Sequence, residues 1–167
     1  MSAENLHVGV IGATGAVGVE LINVMFDRNF PVGELTLFAS ERSAGKTVET
    51  KFGTKTVALF SVEEAKQCDI VFLAVSGDFA KEYGPKIAEG ALVIDNSSAF
   101  RLNDDVPLIV PEINGHLAKT AKLIANPNCT TAIAAVALWP LHQAFGLKKV
   151  IVSTYQAASG SGQPGMN

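Results

Sequence analysis

Hydrophobic and polar positions switch between two periods along this chain, and each switch marks an element. Leu6–Ile11 is an apolar run that predicts a short buried strand. Gly12-Ala13-Thr14-Gly15-Ala16-Val17-Gly18 follows it, and Val17, Leu21 and Val24 then recur at helical spacing. A strand therefore leads through a glycine-rich turn into a helix, which stops near Asn29-Phe30-Pro31. Residues 34–39 predict a second strand, ending in polar Ser40-Glu41-Arg42-Ser43-Ala44-Gly45-Lys46. Two strands joined by a helix make a βαβ unit, whose strands run parallel.

Farther on, residues 48–51 and 55–59 predict a hairpin around Gly53. Ser61 followed by Glu64 is a capping-box pattern for a short helix. Residues 69–75 contain the unbroken run Ile70-Val71-Phe72-Leu73-Ala74-Val75, as in a strand buried on both faces. Asp78 is placed to cap a helix with Phe79, Tyr83 and Ile87 on one side, which Pro85 should break or kink. Residues 91–95 predict another strand, and 108–110 and 122–125 shorter ones. Asn126-Pro127-Asn128 turns into a helix from about Cys129. That helix is apolar all round over 132–139, so it is expected deep in the structure, with Pro140 distorting or ending it. The alternation predicts an α/β fold: a Rossmann-like, doubly wound, mostly parallel sheet with helices on both faces. Residues 149–156 form a long β-branched run, expected to be the first strand of a second, truncated domain.

Composition narrows the classes. The chain has 167 residues, 48% of them apolar and 17% charged, enough apolar surface for one core and too little charge for a disordered segment. Net charge is -3 and the 13 basic residues are dispersed, so no nucleic-acid partner is expected. No apolar run approaches the about 18 residues a bilayer requires, so no membrane association is expected. Met1-Ser2-Ala3-Glu4-Asn5 lacks the basic and apolar regions of a signal peptide. Cys68 and Cys129 cannot make a disulfide framework, and the expected compartment is the reducing cytoplasm.

The turn with Gly12, Gly15 and Gly18 lies between the first strand and the first helix. Glycines there let the backbone approach a pyrophosphate, whose charge meets free N–H groups at the helix N-terminus. A glycine-rich βα turn that binds nothing would share the pattern. At the end of the second strand, Ser40, Arg42 and Ser43, with Lys46 nearby, suit the 2′-phosphate of NADP. Glu41 argues for NAD unless it is turned outward. Cys129 stands at a helix start, where the partial positive charge favours the thiolate and adjacent N–H groups can hold an oxyanion. A small apolar residue packed at a βα turn is the alternative. Cys68, beside Asp69 and with no helix start following, reads as structural. His7, His116 and His142 form no cluster with the cysteines, so no metal site is expected.

These segments together resemble the aspartate-β-semialdehyde dehydrogenase family. The resemblance rests on the glycine turn, the loop 39–46, Asp95-Asn96-Ser97-Ser98-Ala99-Phe100-Arg101, Asn126-Pro127-Asn128-Cys129-Thr130-Thr131 and Ser153-Thr154-Tyr155-Gln156-Ala157-Ala158-Ser159-Gly160. It implies reversible, NADP-dependent reductive dephosphorylation of β-aspartyl phosphate to aspartate semialdehyde. That step leads towards lysine (through diaminopimelate), threonine, methionine and isoleucine. By resemblance, Cys129 is the acyl-thioester nucleophile, Gln156 orients the substrate, Asn128 lies in its pocket and Arg101 binds the phosphate. Gly12, Thr14, Gly15, Ala16, Val17, Ser40, Glu41, Arg42, Ser43, Ser76, Ser159 and Gly160 would contact NADP.

The resemblance also implies an NADP-binding domain at 1–128 and the start of an α+β catalytic and dimerisation domain at 129–167. Family members are homo-oligomers roughly twice this length. The catalytic His and a substrate-binding Arg of the family find no counterpart here. The chain is therefore expected to be an N-terminal fragment, inactive alone. N-acetyl-γ-glutamyl-phosphate reductase shares the cofactor and cysteine logic and is the nearest rival. A non-catalytic dinucleotide-binding module is a second. A glyceraldehyde-phosphate-type dehydrogenase would prefer an acid where Arg42 sits.

Overall fold

The computed structural model describes residues 5–161. β1 (Leu6–Ile11) leads into α1 (Ala16–Asp27), and β2 (Val32–Ala39) returns parallel to β1. β3 (Thr47–Thr50) and β4 (Gly53–Thr56) form a separate antiparallel hairpin. β5 (Ala58–Leu59) then joins the main sheet beside β2, and α2 (Val62–Ala65) follows. β6 (Ile70–Leu73), α3 (Gly77–Ile87), β7 (Leu92–Asp95), α4 (Pro111–Asn114), β8 (Leu123–Ala125) and α5 (Cys129–Phe145) complete the order, with 3-10 turns at Gly115–Lys119 and Ala158–Ser161. The six-stranded sheet runs β5-β2-β1-β6-β7-β8, and every pairing within it is parallel.

The chain moves outward from β1 in one direction through β2 and β5, then starts again on its other side with β6. The strand order therefore reverses between β1 and β6. Side-chain alternation divides the core into two. Val8, Val10, Leu35 and Leu37 pack with Ile22 and Met25 of α1 on one face. Ile11, Val71, Leu73 and Val93 pack with Ala65 of α2 and Ala80 and Ile87 of α3 on the other. Both faces are covered, as an all-parallel sheet requires.

Several expectations need correction. The residues at 58–59 leave the predicted hairpin for the main sheet. Ser76, not Asp78, caps α3: its Oγ accepts from the Phe79 N–H at 3.4 Å, and Asp78 sits in the first turn. Pro85 does not break α3, because it falls in the last turn, where one backbone bond is lost shortly before the helix ends at Ile87. Pro140 likewise lies within α5, which continues to Phe145 and stops at Gly146 in the left-handed region. Of 108–110, only Leu108 makes a bridge, to Ala125.

Two larger corrections concern the C-terminal part. α5 is not deep: none of its residues is buried, with Ile133 73% and Phe145 80% exposed. An all-apolar helix is buried only where other elements lie on each flank, and here α4 packs on it. Residues 149–156 do not form a strand. A strand needs a hydrogen-bonded neighbour, and this segment pairs with none among the described residues, leaving Ile151 84% exposed. No helix among the described residues is long and apolar enough to cross a membrane.

Candidate active site

All six strands end on one edge, and ligands of open parallel sheets bind outside those ends where the strand order reverses. Gly12 closes β1 at that point. Its φ is +84°, and a Cβ on it would stand 2.2 Å from the Ala74 carbonyl oxygen. A Cβ on Gly18 would stand 2.4 Å from the Gly12 oxygen. Both glycines are therefore dictated by the packing of strand, turn and helix. Gly15 is not. Its φ is -80°, and a Cβ there would meet only the Gly12 oxygen, at an ordinary 3.4 Å. Gly15 is the N-cap of α1, with no side chain capping the helix and no acid in its first turn. The first N–H groups of α1 are left to an external acceptor.

Three adjoining clefts lie at the strand ends, the third extending along the flank of α1 past Glu20, Leu21 and Val24. The first, about 450 Å³, lies between the glycine turn and the loop after β2, with Leu59, Phe60 and Phe79 as its apolar wall. Gly12, Thr14, Gly15, Ser40, Glu41, Arg42 and Ser43 all line it. The loop is closed by Ser43 N–H and Ala44 N–H donating to the Ser40 carbonyl at 2.9 and 3.0 Å. Glu41 is exposed and lies on the rim of this cleft beside Arg42. Arg42 is exposed, without an ion pair among the described residues.

The second cleft, about 530 Å³, shares Ala74 and Val75 with the first and adds Val17, Ser76, Ser98, Arg101 and Asn128. The third, about 630 Å³, shares Val17 and Asn96 with the second and reaches Ala16, Asn126, Cys129 and Ser159. Gly160 lies beside Ser159 in the 3-10 turn Ala158–Ser161. The shared residues make one groove from the loop after β2 to the start of α5.

Arg101 is fixed by backbone. Its Nε donates to the Asn126 carbonyl at 2.9 Å and its Nη2 to the Asn96 carbonyl at 3.0 Å. Asn126 Nδ2 also donates to Asn96 Oδ1 at 2.7 Å, tying the ends of β7 and β8 together. Below them Asp95 is fully buried, and its carboxylate accepts from the Ser97 N–H at 2.9 Å and the Ser97 hydroxyl at 2.8 Å. No carboxylate pairs with Arg101 among the described residues, so its positive charge remains available to an anion.

Cys129 is the first residue of α5 and is exposed. Asn128 caps that helix, accepting from the Thr130 N–H at 3.1 Å, and donates through Nδ2 to Gln156 Oε1 at 3.1 Å. Gln156 is thereby held next to the cysteine-bearing helix start. Cys68 behaves oppositely. It is 2% exposed, with its sulfur 3.6 Å from His7 Nε2 near the other end of the strands. Burial, then Glu34 and Asp69, pushes its thiol up to about 11. No group of His, Cys, Asp and Glu among the described residues could hold a metal ion.

Asn96, Ser98, Asn126, Phe60 and Phe79 also line the groove, and the sequence pattern points to no site role for them. For Asn96 and Asn126 the signal was their place directly after a parallel strand. For the two phenylalanines no local signal separates a groove wall from a core ring.

The family model for the semialdehyde dehydrogenase NAD-binding domain matches residues 7–121. This chain belongs to the semialdehyde dehydrogenase family. Within that family it is 46% identical to the aspartate-semialdehyde dehydrogenase of Synechocystis sp. over 163 residues, covering 96% of this chain and 48% of that protein. Aspartate semialdehyde dehydrogenase II of Vibrio cholerae, solved in complex with ASA, superposes with a TM-score of 0.87 at 42% identity, over 98% of this chain and 50% of that one. The Candida albicans enzyme, solved with NADP, gives 0.67 at 27% identity, over 86% and 48%. The chain thus spans about half the length of the semialdehyde dehydrogenases it matches. The superposed part includes the Rossmann-like sheet.

Proposed function

We propose that this chain carries the nucleotide-binding and thiol-bearing part of an aspartate-semialdehyde dehydrogenase, which reduces L-aspartyl-4-phosphate to aspartate semialdehyde with NADPH. The observation that carries the reading is a single groove bearing the uncapped start of α1, the Arg101 cation and Cys129. The residues fit a dinucleotide phosphate: Gly15 leaves room for close approach, and α1 offers unclaimed donors. Arg42, with Ser40 and Ser43, favours NADP over NAD, although Glu41 lies beside them. Residues 1–128 form the nucleotide-binding unit in this reading, and 129–167 begin the catalytic one.

The chemistry of this chain starts at the sulfur. Arg101 holds the substrate phosphate by charge-assisted hydrogen bonds, bringing the acyl carbon to Cys129. The Cys129 sulfur adds to that carbon and the C–O bond to phosphate breaks, giving a thioester and inorganic phosphate. N–H groups at the start of α5 stabilise the oxyanion formed on the way. NADPH, when bound, supplies the hydride that takes the acyl group to the aldehyde level. Gln156, held by Asn128, orients the acyl chain. The product feeds the branch towards lysine, threonine, methionine and isoleucine.

The test is direct. Incubation with β-aspartyl phosphate should release phosphate and leave an aspartyl adduct on the Cys129 peptide, seen by mass spectrometry. Cys129→Ala should leave no adduct and release phosphate only at the uncatalysed rate. An unmodified Cys129 peptide at full phosphate release, or no adduct at all, overturns the reading.

A further inference from the structure

The hydrogen bonds at the start of α5 have a fixed polarity. Thr130 donates to Asn128 Oδ1 twice, from its N–H at 3.1 Å and from its hydroxyl at 2.6 Å. A backbone N–H can only donate, so the atom facing it must be the carbonyl oxygen of the Asn128 amide. The NH2 end of Asn128 is thereby turned to Gln156, where it donates to Oε1 at 3.1 Å. Gln156 must present its oxygen to that donor. Its own NH2 is the end left over, without a hydrogen-bond partner among the described residues. Asn128 directly precedes Cys129, so this leftover donor belongs to the neighbourhood where an acyl carbonyl would sit.

We propose that Thr130 is a positioning residue. Its hydroxyl locks the Asn128 amide, and through it fixes Gln156 with the NH2 offered to the carbonyl oxygen of an acyl group on Cys129. The inference deepens the acyl-transfer reading above and rests on it. Any residue at 130 supplies the backbone N–H that selects the orientation; only a hydroxyl adds the second, shorter bond that holds the amide firmly in it. Reversing the Asn128 amide would oblige Gln156 to flip and present oxygen, which repels an oxyanion. Donors preset where charge develops contribute to acyl transfer, whereas a donor free to rotate contributes less.

Two reagents separate this role from helix capping, both used on the full 167-residue chain. With p-nitrophenyl acetate, an S–C bond forms at Cys129, the ester C–O bond breaks, p-nitrophenolate leaves and the thiol proton passes to water. That reaction builds an oxyanion. With iodoacetamide the sulfur displaces iodide and no oxyanion forms. The readout is the ratio of the two rates at Cys129, located by peptide mass.

Thr130→Val should lower the ratio about threefold to tenfold, the span of one hydrogen bond. Thr130→Ser should restore it. In a Gln156→Ala background, Thr130→Val should cause no further change in the ratio. An unchanged ratio in Thr130→Val overturns the proposal, as does an equal fall in both rates. So does the same fall in the Gln156→Ala background. Failure of the unaltered chain to acetylate at Cys129 overturns the acyl-transfer reading itself, and the proposal with it.

Discussion

The α carbon of Gly12 stands so close to Ala74 that a methyl group on it would lie 2.2 Å from the Ala74 carbonyl oxygen. This contact joins the ends of β1 and β6 where the strand order reverses. Gly12→Ala must therefore push β1 and β6 apart and also strain a residue at φ +84°. Thermal or denaturant unfolding should show a loss of about 3 kcal/mol or more. Gly15→Ala is the contrast, since its methyl meets only one atom at 3.4 Å. It should unfold within about 0.5 kcal/mol of the unaltered chain. NADP binding, followed by titration calorimetry, should nonetheless weaken about tenfold, because a methyl group intrudes on the uncapped start of α1.

Arg42 tests the nucleotide preference. It is exposed, lines the first cleft and has no ion pair to lose among the described residues, so Arg42→Ala should leave stability unchanged. The affinity for NADP should fall about tenfold while that for NAD stays within about twofold. Equal loss for both nucleotides would place Arg42 away from the 2′-phosphate.

The two cysteines should label at different rates. Cys129 is exposed, and Cys68 is buried with its thiol pushed up to about 11. Iodoacetamide at neutral pH should modify Cys129 at least about a hundredfold faster, read by peptide mass. Burial of Cys68 also links to stability. Its native thiol stays protonated while the unfolded thiol ionises above its ordinary 9.0, so the native state binds more protons there. Its contribution is complete below pH 9.0 and is lost as pH rises towards about 11. The stability difference between the unaltered chain and Cys68→Ala should shrink over that window.

Arg101 depends on a forked head group. Two carbonyls, of Asn96 and Asn126, hold Nε and Nη2. A lysine has a single nitrogen and cannot serve both carbonyls and an anion. Arg101→Lys should keep the fold but weaken phosphate binding about fivefold to tenfold, read from amide shifts of Asn96 and Asn126 in a phosphate titration.

Turnover needs an acid/base group, and neither His142 nor His7 is placed to supply it at Cys129. His142 lies in the last turn of α5, about 20 Å along the axis from Cys129 at about 1.5 Å per residue. His7 points to Thr36 at the far end of the strands, at 2.8 Å. The 167-residue chain should acylate at Cys129 yet show no steady NADPH oxidation above background with β-aspartyl phosphate. Sustained oxidation would show that another group of this chain moves the proton.

Much of this architecture is legible in the residues. The run Ile70-Val71-Phe72-Leu73 announces a strand covered on both faces, and the glycines at 12 and 18 announce a strand meeting a helix closely. Cys129 at a helix start follows from Asn128, whose side chain caps it. What local pattern cannot carry is pairing. The β-branched run at 149–156 has strand composition but no neighbour to bond with among the described residues, and α5 has core composition but few elements against it. Ala58 and Leu59 look like the end of a hairpin because nothing local distinguishes that from an edge strand beside β2. The carbonyls that hold Arg101 come from strand ends far apart in the chain, so no spacing rule could reveal them.

α5 carries the Cys129 sulfur yet contributes no buried residue, so the site is split between a rigid floor and a loosely moored wall. Local opening costs least where buried contacts are fewest, and amide exchange should therefore be fast along α5 and slow along β1. A molecule spanning the groove would touch both sides at once and act as a brace. Occupancy and order at the sulfur would then rise together, and protection along α5 would report ligation as sensitively as binding itself.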